Sequence, residues 1–245
     1  MGVQEAQPAG AAKLPSQTVD ALLTYAARAT WPAGFVIYHR GAEADGIFVV
    51  LSGRVVLRSR VRAGRGFIPW IATPLETFGA EGLSSTPRYV NEARADDEVT
   101  TLFLSGSRFR AFLREQPLHA ASLMAQVLTE RSQLLEKLRE LTTMSVEQRI
   151  VVSLARMAQF CGFTRDDGCL VLNPARYRLL CELVGATRES VSLVLGRFTG
   201  EGVIERKGNS LVVHPDRLGG RLEQLPGDDI LTANAGLVGS GTLTQ

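Results

Sequence analysis

The chain has 245 residues, 45% hydrophobic and 21% charged, with a formal net charge of +2. That is globular composition with room for two domains, and it excludes a strongly basic protein that binds nucleic acid through bulk charge, so any such role must rest on charge placed locally. No apolar run approaches a membrane span and the N-terminus lacks a basic-then-apolar signal, so a cytoplasmic protein with no membrane contact is expected.

Residues 1–15, rich in Ala, Gly, Gln and Pro, read as a flexible leader. A short helix starts at Pro15, with Ser16 as N-cap and Val19, Leu22 and Leu23 facing inward. From Trp31 to Leu104 the pattern becomes short strands between glycine turns: 32–38, 46–51, 54–61, 67–72 and 98–104. Turns at such close intervals predict a small antiparallel β-roll or sandwich.

Residues 107–113 form a short helix, and a long one runs from Leu118 to Met144. On it Ala120, Met124, Val127, Arg131, Leu134, Leu138 and Leu141 alternate at four- and three-residue spacing, a coiled-coil seam that favours a homodimer. A helix packed only within its own domain is the alternative. Residues 142–145 read as a hinge, and 146–163 as an amphipathic helix with Ile150, Leu154, Met157 and Phe160 on its inner face. A turn at 166–168 and a strand at 170–172 follow.

The stretch 179–195 reads as helix, tight turn, helix. Leu179, Leu180 and Leu183 share one side of the first helix, Gly185 ends it, and Thr187 caps the second. Val191, Val194, Leu195 and Phe198 form the buried face of that second helix, leaving Arg188, Glu189 and Ser192 outside. This is the build of a helix-turn-helix, although an ordinary helical hairpin with a solvated face has the same pattern. Residues 202–213 add two short strands about a Gly-Asn turn, the wing of a winged helix-turn-helix. Double-stranded DNA is therefore the expected partner. Thr187 would meet a phosphate, Arg188 guanine O6 and N7, Glu189 a cytosine amino group, and Ser192 a base or phosphate. Arg178, Arg197, Arg206 and Lys207 are phosphate-clamp candidates, with solvated surface charge as the alternative for each. After Leu218 the chain is Gly-rich, and 219–245 reads as a mobile tail with room for a short helix at 228–233.

Cys161, Cys169 and Cys181 fit no zinc or iron–sulfur spacing and read as small buried residues in a reducing compartment, with a redox-sensing role for Cys161 and Cys169, near Arg165, as the alternative. No nucleophile–base pair, metal cluster or phosphate loop stands out, so an enzyme is not expected.

The pattern Pro-x-Gly-x-x-Ile-Tyr-x-x-Gly-x-x-x-Asp-Gly-Ile-Phe-x-Val-x-x-Gly-x-Val over 32–55 resembles a cyclic-nucleotide-binding-type domain. Together with the winged helix-turn-helix, residues 16–218 resemble the CRP/FNR family of bacterial transcription regulators. The resemblance implies an α+β chain: an effector-type antiparallel β-roll (jelly-roll-like) at 16–117, a dimerisation helix and hinge at 118–144, and a DNA-binding domain at 145–218. It implies pairing through Met124, Val127, Leu134, Leu138 and Leu141, base reading by Arg188 and Glu189, inverted-repeat promoter sites and RNA polymerase as a partner. Leu193 stands where the family often has arginine. Cyclic-AMP-type members carry Gly-Glu-Leu and then Arg-Ser-Ala or Arg-Thr-Ala. Here the stretch 78–91 separates Gly79 from Glu81 and follows Arg88 with Tyr89 and Val90, while Leu134 and Leu135 replace the polar pair that meets adenine. Cyclic AMP is therefore not expected, nor an iron–sulfur cluster, since the N-terminal cysteines are lacking. Glu81, Arg88, Tyr89 and Arg131 remain effector candidates for a small anion such as 2-oxoglutarate. No ligand at all, or a sensor module that has lost DNA binding, are the alternatives.

Overall fold

The computed structural model describes residues 13–60, 66–85, 87–159, 164, 165, 167–214, 217, 218 and 221. The chain divides into two compact units, one of the described residues up to Arg139 and the other from Glu140 onward.

The first unit begins with α1 (Ser16–Leu22), β1 (Ala27–Trp31), β2 (Val36–Tyr38), β3 (Gly46–Ser52), β4 (Val55–Arg60), β5 (Gly66–Ala72) and β6 (Thr77–Phe78). A 3-10 turn at Ala80–Leu83 leads to β7 (Glu92–Ala95), β8 (Val99–Ser105), α2 (Gly106–Glu115) and the long α3 (Pro117–Thr143). The strands form two antiparallel four-stranded sheets, ordered β1-β8-β3-β6 and β2-β7-β4-β5. Strand β3 is apolar throughout because both its faces are covered. Phe48 and Val50 enter a core shared by the two sheets, with Tyr38, Leu57 and Phe78. Ile47 and Val49 enter a second core with Leu22, Phe112 and Leu123 from α1, α2 and α3. Gly46 has no room for a side chain, since a Cβ there would collide with the Leu104 carbonyl.

Several elements differ from the sequence reading. Leu14 is buried and donates its N–H to the Leu75 carbonyl at 2.8 Å, so the leader ends before it, and residues 1–12 lie outside the described ones. Pro15, not Ser16, occupies the N-cap of α1, and Leu23 just past its end is exposed. Strand β7 is Glu-Ala-Arg-Ala, whose apolar signal is only alanine, and β1 is Ala-Arg-Ala-Thr-Trp, in which only Trp31 is strongly apolar. In β7 small Ala93 and Ala95 fill the core, while Arg94 pairs with Glu92 at 2.9 Å. On α3, Ala120 and Val127 turn toward the roll's own core. Val127 is half-buried against that core, and the exposed apolar line is Met124, Leu128, Leu134, Leu135 and Leu138.

The second unit holds α4 (Val146–Gln159), β9 (Leu170–Leu172), α5 (Pro174–Val184), α6 (Arg188–Gly200), β10 (Ile204–Lys207) and β11 (Ser210–Val213). A capping box starts α4: Ser145 N–H donates to Gln148 Oε1 at 2.9 Å, and Gln148 N–H to Ser145 Oγ at 3.2 Å. Ile150, Leu154 and Met157 are fully buried; Phe160 and Cys161 lie outside the described residues. The strands form one antiparallel sheet, β10-β11-β9. Cys169 and Cys181 are only half-buried, so they are not the core residues expected. Part of the tail is anchored: Leu218 is buried, and Arg221 sits 4.5 Å over the Phe198 ring and pairs with Glu147 and Glu201. Residues 222–245, with the expected helix at 228–233, lie outside the described residues.

Glu76 gives the first unit a pH dependence. Its carboxylate is buried and accepts the Thr73 N–H at 2.8 Å, and burial outweighs that bond and pushes its pKa up to about 7. The folded state therefore holds this proton more tightly than the unfolded chain. Its contribution to stability is complete below pH 4.5 and lost as pH rises through 7. Denaturant unfolding should show a loss on the order of 2 kcal/mol between pH 5 and 8, and Glu76→Gln should flatten that slope.

Candidate nucleic-acid interface

Helix α5 starts five residues before the leucines from which it was read. Asn173 is its N-cap, accepting from Arg176 N–H at 2.9 Å, with Pro174 at the first turn. It ends at Gly185, whose φ of 64° is left-handed and whose N–H closes on the Cys181 carbonyl at 3.0 Å. Two residues later Thr187 caps α6, its Oγ1 accepting from Ser190 N–H at 3.3 Å. Val191, Val194, Leu195 and Phe198 are buried, which fixes the rotation of α6. Arg188, Glu189, Ser192 and Leu193 are left exposed, Leu193 at 71%.

The wing closes the other side. Lys207 pairs with Ser210 in the β10–β11 ladder around Gly208 and Asn209. Between α6 and the wing lies a cleft of about 350 Å³, lined by Tyr177, Arg188, Ser192, Arg206 and Asn209 among others. Tyr177 is its floor. The Arg188 guanidinium stands 5.7 Å over the ring, and Ser192 hydrogen-bonds the phenol. Burial pushes the Tyr177 hydroxyl up, while that hydrogen bond and the nearby Arg188 and Arg206 charges pull it down. The cleft thus gathers two guanidiniums beside a helix N-terminus, an arrangement that attracts a polyanion. Tyr177 was not legible as a site residue, because only the crossing of α5 and α6 brings it under Arg188.

The other basic candidates divide. Arg178 on α5 and Arg206 and Lys207 on the wing are exposed, Lys207 with its ammonium 3.6 Å from Glu205. Arg197 donates to Glu147 at 2.7 Å, which ties α6 to α4.

Residues 28–116 match the cyclic nucleotide-binding domain, and residues 132–220 the Crp-like helix-turn-helix domain. The CRP-like cAMP-activated global transcriptional regulator of Mycobacterium tuberculosis is 24% identical over 184 residues, 75% of this chain and 82% of that protein. The cyclic AMP receptor protein of Thermus thermophilus is 29% identical over 194 residues, 78% of this chain and 85% of that protein. Among solved structures, the c-di-GMP responsive global regulator CLP of Xanthomonas campestris superposes with a TM-score of 0.71 at 18% identity, over 82% of this chain and 99% of that one. The chain belongs to the CRP/FNR family of transcription regulators. It carries that family's DNA-binding helix-turn-helix and is a regulator, not an enzyme.

The roll of this CRP/FNR protein places the effector candidates in an acidic, aromatic setting. Tyr89 is buried and stacks on Tyr38 with centroids 3.6 Å apart and planes 7° from parallel. Burial, then the charges of Asp45 and Glu81, pushes Tyr89 up to about 12. Arg88 is exposed and donates to the Gly41 carbonyl at 3.0 Å. Glu81 Oε1 accepts from Val90 N–H at 3.3 Å. Arg131 is exposed on α3, while its neighbour Glu130 points inward. Burial, then the charges of Glu81 and Glu76, pushes Glu130 up to about 8, and its Oε2 is sealed without a hydrogen-bond partner. Tyr38 and Glu130 were missed as site residues: one reads as core, the other as one more charge on a helix. Among the described residues no His, Cys, Asp or Glu group is arranged to hold a metal. No described helix is long and apolar enough to cross a membrane.

Tyr177→Leu should weaken binding to a selected duplex by about 0.5–1 kcal/mol through loss of the ring under Arg188. Tyr177→Phe should keep that part and lose only the Ser192 bond. Fluorescence anisotropy on labelled duplex measures both.

Proposed function

We propose that this chain regulates transcription in the cytoplasm as a homodimer reading inverted-repeat promoter sites, with RNA polymerase as its further partner. The observation that carries this is the exposed edge of α6: a capped N-terminus presents Arg188, Glu189 and Ser192 beside a wing bearing Arg206 and Lys207. Arg188 reads guanine, Glu189 accepts from cytosine, and Ser192 and Leu193 contact the next base or its thymine methyl. Thr187, Arg178, Arg206 and Lys207 hold phosphates and fix register. Residues 16–117 serve as the effector-type domain, 118–144 as the dimerisation helix and hinge, and 145–218 as the DNA-binding domain. The exposed line of Met124, Leu128, Leu134, Leu135 and Leu138 supports pairing along α3. Leu141, half-buried, continues that helix. Half-sites one helical turn, about 34 Å, apart suit such a dimer.

Cyclic AMP is not the effector in this reading. A phosphate entering beside Tyr38 would meet the Glu81 carboxylate, with the buried Glu130 offering no positive charge, and Arg88 is bonded to the Gly41 carbonyl. The same charges count against the small anion expected at Arg88 and Arg131, and so favour ligand-independent DNA binding.

Selection of bound duplexes tests the reading. A G·C pair should appear in each half-site, and Arg188→Ala should cost about 1–3 kcal/mol and relax preference at that pair. Lys207→Ala should weaken all sequences alike and lower the salt slope by about 1. Added cyclic AMP should change neither result. Unchanged preference in Arg188→Ala would mean that another element reads the bases. Light scattering should show a dimer that Leu135→Glu or Leu138→Glu splits into monomers.

A further inference from the structure

On the far face of the wing sheet the structure assembles three side chains that DNA reading does not use. Ile204, Leu211, Val213, Leu170 and Leu172 carry the core face of this sheet, and alternate residues point away from it. Val213 faces Leu170 in the β11–β9 ladder, so one further step sets His214 against Cys169. Cys169 Sγ and His214 Nδ1 are 3.4 Å apart. The second ring nitrogen, Nε2, lies 3.3 Å from Glu205 Oε1. That nitrogen is sealed from solvent and makes no hydrogen bond of regular geometry, so the carboxylate acts on it through charge. Glu205 Oε2 is in turn 3.6 Å from the Lys207 ammonium. The thiol is half-buried, which leaves it open to a small reagent.

A thiol donates only to a ring nitrogen that lacks a proton. In the tautomer that carries its proton on Nε2, toward the carboxylate, Nδ1 accepts from the thiol, which the Asp167 side chain also engages. When the thiol proton moves to Nδ1, Glu205 stabilises the imidazolium. A nucleophile touching its base, with the base held by a third group, is how proteins activate a cysteine.

We propose that Cys169 is a peroxide-reactive thiol, activated by His214 and oriented through Glu205, whose oxidation weakens the wing's hold on DNA. The thiolate attacks one oxygen of hydrogen peroxide. The S–O bond forms and the O–O bond breaks, so sulfur is oxidised to sulfenic acid and the peroxide reduced. The departing hydroxide takes the proton held on His214 and leaves as water, so thiol plus hydrogen peroxide gives sulfenic acid plus water. The new oxygen must enter where Sγ and Nδ1 are in contact. It displaces the imidazole and, through Glu205, resets Lys207. The chemistry stands by itself; its effect on DNA rests on the function proposed above.

The full-length wild type, Cys169→Ser and His214→Gln are each treated with hydrogen peroxide and dimedone, and labelled peptides are read by mass spectrometry. Cys181, whose thiol burial pushes up, is the internal reference. Label should enter Cys169 about ten-fold or more faster than Cys181, and His214→Gln should slow it about ten-fold. Alkylation of Cys169 by iodoacetamide should also slow about ten-fold in His214→Gln. Equal labelling of the two cysteines, or unchanged rates in His214→Gln, overturns the proposal. Should that variant fail to fold, Glu205→Gln is read in its place, with slower labelling expected and an unchanged rate overturning it. On DNA, peroxide should weaken wild type across all duplexes and lower its salt slope by about 1, leaving Cys169→Ser untouched. Labelling at Cys169 with unaltered DNA affinity overturns the regulatory half. Failure of untreated protein to bind any duplex counts against the proposed function, not against the thiol chemistry.

Discussion

The DNA-binding unit depends on a three-residue constraint, the turn from Gly185 to Thr187. A left-handed residue stops α5, and a hydroxyl cap starts α6 two positions on. Everything exposed on α6 follows from that start. With Val191, Val194, Leu195 and Phe198 buried, helical geometry leaves Arg188, Glu189 and Ser192 no other direction. A β-branched residue at 185 would strain the turn and shift the register of the whole exposed edge.

Charge within this unit is organised in small networks. Glu147 holds both Arg197 and Arg221, joining α6 and the segment at Arg221 to α4. Glu205 touches His214, Lys207 and Arg217, so one carboxylate links a wing-tip cation to the thiol side of the sheet. Arg188 and Arg206 instead share Tyr177 and the cleft. Cations of one sequence class thus take two roles: some brace helices and others face the cleft. Exposed pairs of this kind contribute little stability, so their value lies in orientation.

In the roll, burial dominates the electrostatics. Tyr38, Glu76, Tyr89 and Glu130 all have their ionised forms disfavoured by removal from water, and the carboxylates reinforce one another. The family fold accommodates this interior as readily as relatives named for cyclic AMP or c-di-GMP accommodate theirs, which is why ligand identity does not follow from fold.

The sequence by itself determined the elements whose signal is local. The helix-turn-helix, its cap, its buried face and the wing turn are set by residues a few positions apart, and apolar periodicity with Gly and Thr at fixed offsets records them directly. Strong strands such as β3 were legible for the same reason, while β7 was not, because alanine fills its core positions, and β1 was not, because none of its residues is fully buried. The Asn-Pro that opens α5 was a readable signal left unused. Tertiary structure alone decided which side chains meet. Arg188 rests on Tyr177 eleven residues back, Cys169 meets His214 45 residues on across the β9–β11 ladder, and Arg197 is claimed by Glu147 fifty residues away. Val127 shares the seam's spacing, yet packs in part on the roll's own core. Periodicity fixes a residue's face; only packing fixes what that face touches.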